Sequence, residues 1–142
     1  MRIVPLLLLA GLACGRPAQT APGAENPAGV VEGFLAAVKA NDLDRMGQLW
    51  GLADRGPAAD WADAETVHKH LFVIQSRLVH DRFELLPLNE SALRNDKPVI
   101  RVRLLRSGCE AVVPFTMVRH KGGWLIEQVD LATAGNPAEK CP

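Results

Sequence analysis

Apolar residues recur at helical spacing through Val30, Val31, Phe34, Leu35 and Val38, so the stretch beginning at Pro27 predicts a helix with one face to bury. Asn41 and Asp42 interrupt the pattern, and Leu43, Met46, Leu49 and Trp50 resume it, which predicts a second helix and a helical hairpin. Gly51 to Asp60, with Gly56, Pro57 and scattered charge, reads as a loop. Asp63 then stands as the N-cap of a third helix, with Glu65 in its first turn. Its stripe is Val67, Leu71, Ile74 and Leu78, widened by Phe72 and Val73, and it ends near Val79 or His80.

Beyond His80 the period shortens to two. Arg82 to Leu88, Val99 to Arg106, Ala111 to His120 and Trp124 to Leu131 are β-rich runs, separated by Asn95-Asp96-Lys97-Pro98, Ser107-Gly108 and Lys121-Gly122-Gly123. The last two separators are short enough for hairpins, which predicts an antiparallel meander. In the second run Ile100, Val102 and Leu104 share one face, while Arg101 and Arg103 share the other. In the third, Val113, Phe115 and Met117 alternate with Val112, Pro114 and Thr116, and Pro114 predicts a bulge or an edge because it has no N–H to give a ladder. The expected fold class is α+β, with three N-terminal helices on a curved antiparallel sheet of about four strands.

A length of 142 residues accommodates one core, and an apolar fraction of 48% is that of a folded chain. The formal net charge is zero, so nothing global points to nucleic acid as a partner. The charges are nevertheless segregated. Glu25 to Glu65 holds eight acidic residues against three basic, and Arg82 to Lys121 holds eight basic against four acidic. The ordinary reading is two solvated faces of opposite sign, and the sharper one is a basic surface for an anionic partner.

Arg2 precedes an uncharged apolar run from Ile3 to Ala13, too short to span a bilayer and of the right length for a signal-peptide core, with export by the general secretory route. Leu9-Ala10-Gly11-Leu12-Ala13-Cys14 resembles the bacterial lipobox, although Gly11 and Leu12 depart from the preferred order. The resemblance implies residues 1–13 as a signal peptide, lipidation of Cys14 and a membrane anchor carried by several acyl chains. Residue 15 is Gly and not Asp, which by the same resemblance favours the periplasmic face of the outer membrane of a bacterial cell envelope. Cleavage after Ala13 without lipidation is the plainer alternative. Residues 14–26 are rich in Pro, Gly and Ala and read as a tether, which at about 3 Å per residue reaches roughly 40 Å. The folded domain is then 27–142.

The order of elements, the run Pro27-x-x-Val30-Val31-x-x-Phe34-Leu35-x-Ala37, the Asn41-Asp42 break and the closing Gly123-Trp124-x-Ile126 together resemble the nuclear transport factor 2-like, or cystatin-like, superfamily of cone-shaped domains. The resemblance covers about residues 27–132. A short strand common between the second and third helices of that superfamily is not evident in Gly51 to Trp61. Ketosteroid isomerases and polyketide cyclases share the fold, so the resemblance raises an isomerase-, cyclase- or hydrolase-like enzyme. Those isomerases use a Tyr in their oxyanion site, however, and this chain has no Tyr.

Candidate chemistry is sparse. Phe34, Leu104, Phe115, Met117, Trp124 and Ile126 are candidates to line an apolar cavity, a filled core being the commoner fate of such residues. His80 and Asp81 at the helix-to-strand junction, with Glu127 and Asp130 on the last strand, are candidate polar groups of a pocket, none singled out as acid or base. His68 and His70 lie two apart on a helix and so point about 200° from one another, which argues against a shared metal ion. No metal and no cofactor are expected. Cys109 and Cys141 pair naturally as a disulfide in an oxidising compartment, since the hairpin returns the end of the last strand to the start of the one before it. Two free thiols or a Cys109 nucleophile are the alternatives. The expected role is a domain that binds a small apolar molecule or an envelope protein without turnover. The alternatives are the enzyme above and a pocketless module that forms a homodimer or meets a partner through the Arg101 and Arg103 face.

Overall fold

The computed structural model describes residues 26–139. Cys14, Cys141 and the 1–13 signal segment lie outside the described residues. Helix α1 spans Pro27–Ala40, entered by Asn26, whose side chain accepts from the Gly29 N–H at 2.8 Å, and by Pro27, which needs no amide partner in the first turn. Asn41 ends it in the left-handed region at φ 55°, returning its N–H to Val38, and Asp42 caps α2 (Leu43–Leu49) through the Arg45 N–H at 2.9 Å. Helix α3 spans Ala64–Leu78 behind its Asp63 cap. No described helix is long and apolar enough to cross a membrane.

The 51–60 loop contains structure that the sequence pattern did not reveal. Gly51–Leu52 (β1) and Gly56–Pro57 (β2) pair antiparallel as a miniature hairpin, followed by a 3-10 turn at Ala58–Asp60. Trp50, just before β1, bridges in parallel to Ile126 of the main sheet.

That sheet is the expected antiparallel meander: β3 (Arg82–Leu85), β4 (Val99–Arg106), β5 (Cys109–His120) and β6 (Gly123–Val129), in that spatial order. The first run stops at Leu85 and does not reach Leu88. Leu86 still donates to Arg101 at 2.9 Å, but Pro87 has no N–H to continue, and a short helix α4 (Glu90–Leu93) follows behind its Asn89 cap. The last run stops at Val129, where Asp130 caps a final turn, α5 (Leu131–Ala134), by accepting from Ala132 and Thr133. Pro114 sits in the central strand β5, where its carbonyl meets the Asp130 N–H at 3.1 Å, the point at which β6 leaves the ladder. The missing donor therefore faces the end of its neighbour and not its middle.

One core lies between α1 and the sheet. Val30, Val31, Phe34, Leu35 and Val38 of α1 meet Ile100, Val102, Leu104, Val113, Phe115, Met117 and Ile126, with α2 and α3 closing the side. Phe34 and Phe115 meet edge to face, with centroids 6.3 Å apart. On α3, Val67, Leu71, Ile74 and Leu78 are buried, whereas Phe72 and Val73 are 57% and 52% exposed. They do not widen the stripe, because steps of about 100° per residue from Leu71 carry them round to the solvent side. Arg106, at the end of β4, donates to the carbonyls of Arg77, Val79 and Ala134, tying the ends of α3 and α5 to the sheet. Burial pulls its pKa below the ordinary guanidinium value, and the side chain remains a cation.

Candidate functional site

The six apolar residues proposed to line a cavity fill the core instead. Phe34, Leu104, Phe115, Met117 and Ile126 have no exposure and Trp124 has 7%. They touch one another, so the space between α1 and the sheet is occupied by side chains. The four candidate polar groups are brought to separate places, each with a structural partner. The His80 ring is buried, gives its Nδ1 proton to the Leu78 carbonyl at 2.8 Å and meets Phe83 edge to face. Asp81 accepts the Ser107 N–H at 2.7 Å in the turn between β4 and β5. Glu127 holds Lys97 at 2.8 Å, and Asp130 is the α5 cap. His68 and His70 point apart: His68 reaches Asp44 of α2 at 3.0 Å, while His70 faces the hollow described next.

That hollow lies outside the core, between the β1–β2 hairpin and the first turns of α3. Its volume is about 310 Å³, at the lower end of ligand-pocket sizes, and its lining is Trp50, Arg55, Trp61, Asp63, Thr66, Val67 and His70. Both indoles are fixed by their own N–H groups. Trp50 Nε1 donates to the Glu127 carbonyl at 3.0 Å and Trp61 Nε1 to the Gly56 carbonyl at 3.2 Å. With the polar edges satisfied by backbone, the two indoles contribute apolar surface to the hollow that they line. The guanidinium of Arg55 lies over Trp61, 4.0 Å from the ring centroid.

Backbone chemistry places these residues. A Cβ on Gly51 would stand 2.1 Å from the Gly56 carbonyl oxygen, so only glycine permits the two strands to approach. Gly56 adopts φ 74°, and a Cβ there would stand 2.8 Å from His120 Nε2. His120, at the tip of the β5–β6 hairpin, donates from Nδ1 to the Ala53 carbonyl at 2.9 Å and so holds the turn that carries Arg55. Asp63 is occupied by Thr66, whose side chain and backbone N–H bond to its carboxylate and hold its pKa below the ordinary value. Arg55 and His70 retain polar edges with no hydrogen-bond partner among the described residues.

Other hollows offer volume with less recognition. One of about 670 Å³ runs along Cys109, Glu110, Ala111 and the tail from Asn136 to Glu139, but its Arg106 donors are already taken by carbonyls. Another of about 580 Å³, beside α4, is lined by Lys97, already paired with Glu127, and by Arg119, which lies 4.2 Å over Trp124. Among the described residues, no group of three or more His, Cys, Asp or Glu is placed to hold a metal ion.

Three of the site residues were visible in the sequence in another role: Trp50 as part of a helical stripe, Asp63 as a cap and His70 as one of two imidazoles pointing apart. The available signal was two of the three Trp residues flanking a Gly51 to Pro57 turn segment. No family model and no curated protein matches the chain. Among solved structures, a variant of a protein called Rd1NTF2_05 is 18% identical, over 72% of this chain and 92% of its own, with a TM-score of 0.45.

Proposed function

We propose that this chain is an envelope lipoprotein whose nuclear transport factor 2-like domain binds a small, largely apolar molecule and releases it unchanged. One observation carries the reading. Two backbone-anchored indoles face a hollow of ligand size, and the carboxylate beside them is committed to capping α3. Catalysis of the acid/base kind asks for two convergent ionisable groups; in the hollow Asp63 is held by Thr66 and no described acid is paired with His70, while His80, Asp81, Glu127 and Asp130 are dispersed in structural bonds. An enzyme therefore stands as the weaker alternative. Anchorage through a lipidated Cys14 rests on the sequence, and the 14–26 tether would hold the domain clear of the bilayer.

A Cys109–Cys141 bridge belongs to the same proposal. It is supported by the described part of the tail, since Asn136 to Glu139 line the same hollow as Cys109 of β5. A homodimer through the outer sheet face is a second reading, favoured by the 43% and 40% exposure of Val99 and Val112 beside Arg101 and Arg103. Native mass spectrometry of the full chain, purified gently from its host, tests the binding reading. A released small molecule supports it, an empty monomer removes it, and an empty dimer turns attention to the outer face.

A further inference from the structure

We propose that the Trp50–Trp61 hollow selects a carboxylate-bearing ligand with an apolar or aromatic body, and that Arg55 reads the carboxylate. The inference rests on the binding reading above and adds the ligand's charge to it. An indole face is the natural seat for a ligand cation, and at Trp61 that seat is taken by the Arg55 guanidinium, 4.0 Å from the ring centroid. A second cation would lie against the first and be repelled.

Arg55 is also uncommitted in its own plane. The described ion pairs use Lys97, Lys69, His68 and Arg103, and no carboxylate is paired with Arg55 among the described residues. The Arg55 guanidinium over the ring has no hydrogen bond to a described residue, so its N–H groups are free, and a guanidinium fork matches a carboxylate two bonds at a time. The acids nearby are Asp54 and Asp60, which do not line the hollow, and Asp63, which does. The Asp63 carboxylate accepts from the Thr66 side chain and backbone N–H, so it is drawn toward the start of α3. The rest of the lining is indole, the buried Val67 side chain and the His70 imidazole, which has no partner among the described residues. The ligand's apolar body packs on the rings, and its carboxylate meets Arg55.

Charge is the variable to test, with the body held constant. The three probes are phenylpropionate, phenylpropionamide and phenylpropylamine, titrated into the full chain in non-ionic detergent. The readout is the three indole N–H signals in a ¹H–¹⁵N spectrum. Trp50 and Trp61 report on the hollow, and Trp124, which lies in the core, is the internal control. Phenylpropionate should move the Trp50 and Trp61 signals and leave Trp124 in place, binding about tenfold more tightly than the amide, with the amine weakest. Arg55→Gln should bring the ratio of acid to amide affinity down to about one. Equal binding of acid and amide, an acid preference that survives Arg55→Gln, or the amine binding best would each overturn the carboxylate assignment and leave the hollow as a binding site. If no probe moves either signal, the binding reading itself fails.

Discussion

The space between α1 and the sheet and the hollow beside the β1–β2 hairpin are built from similar residues and come to opposite ends. In the first, Phe34 and Phe115 lock edge to face among aliphatic neighbours and no room remains. In the second, Trp50 and Trp61 are held by backbone carbonyls of different elements, Glu127 in β6 and Gly56 in β2, and both line a hollow of about 310 Å³. The difference is one of anchoring. Apolar side chains held only by packing close any gap they can reach, while an aromatic ring tethered through its N–H can keep a gap open. The hollow therefore lies on the flank of the fold, outside the packed core.

The strongest perturbation separates the two regions. Phe115→Ala should cost about 3–5 kcal/mol in denaturant unfolding, because a fully buried ring leaves a cavity. The folded fraction should still bind phenylpropionate, and loss of binding without loss of structure would join the core to the site. Arg106→Met should follow at roughly 2–3 kcal/mol, since three carbonyls at the ends of α3 and α5 lose a charged donor. Its unfolding midpoint should fall with the Trp50 and Trp61 indole signals unmoved. Trp61→Phe keeps an aromatic face but removes the bond to Gly56, and should cost about 1 kcal/mol. There the stability change is small and the binding change large, the reverse of Phe115→Ala.

The smallest effect is a matter of pH. The Asp63 pKa is lowered by its bonds to Thr66, so the stability it supplies is present above its ordinary value of 3.8 and is lost as pH falls through the depressed folded value. Asp63→Asn keeps a capping oxygen, so thermal melts at neutral pH should change little, and the Asp63 share of the acid-range loss should vanish. An unchanged acid profile in that variant would show that the cap contributes no pH dependence.

The helices and the meander were legible because each carries its own punctuation. Asn41-Asp42, Asp63, Ser107-Gly108 and Lys121-Gly122-Gly123 mark real boundaries, and the alternation of Ile100, Val102 and Leu104 with Arg101 and Arg103 names the buried face. Phe72 and Val73 misled because adjacency on a helix is not a shared face. The β1–β2 pair was illegible for a physical reason: two-residue strands have no period to read. The site was harder still. Trp50 finds its partner carbonyl at Glu127, 77 residues away along the chain, so the hollow exists only once the sheet has formed. Arg55 and His70 offered no local sign that they would face the same space.

The two margins of the main sheet are finished differently. Along β6, Trp50 and β1 cover the border, and along β3 the border is four residues long with Arg82 and Glu84 exposed on it. Neither offers a long, flat, uncharged row of free amides on which another strand could add. For a chain proposed to sit crowded with its copies on one membrane surface, this means that close neighbours have little template for polymerising strand by strand.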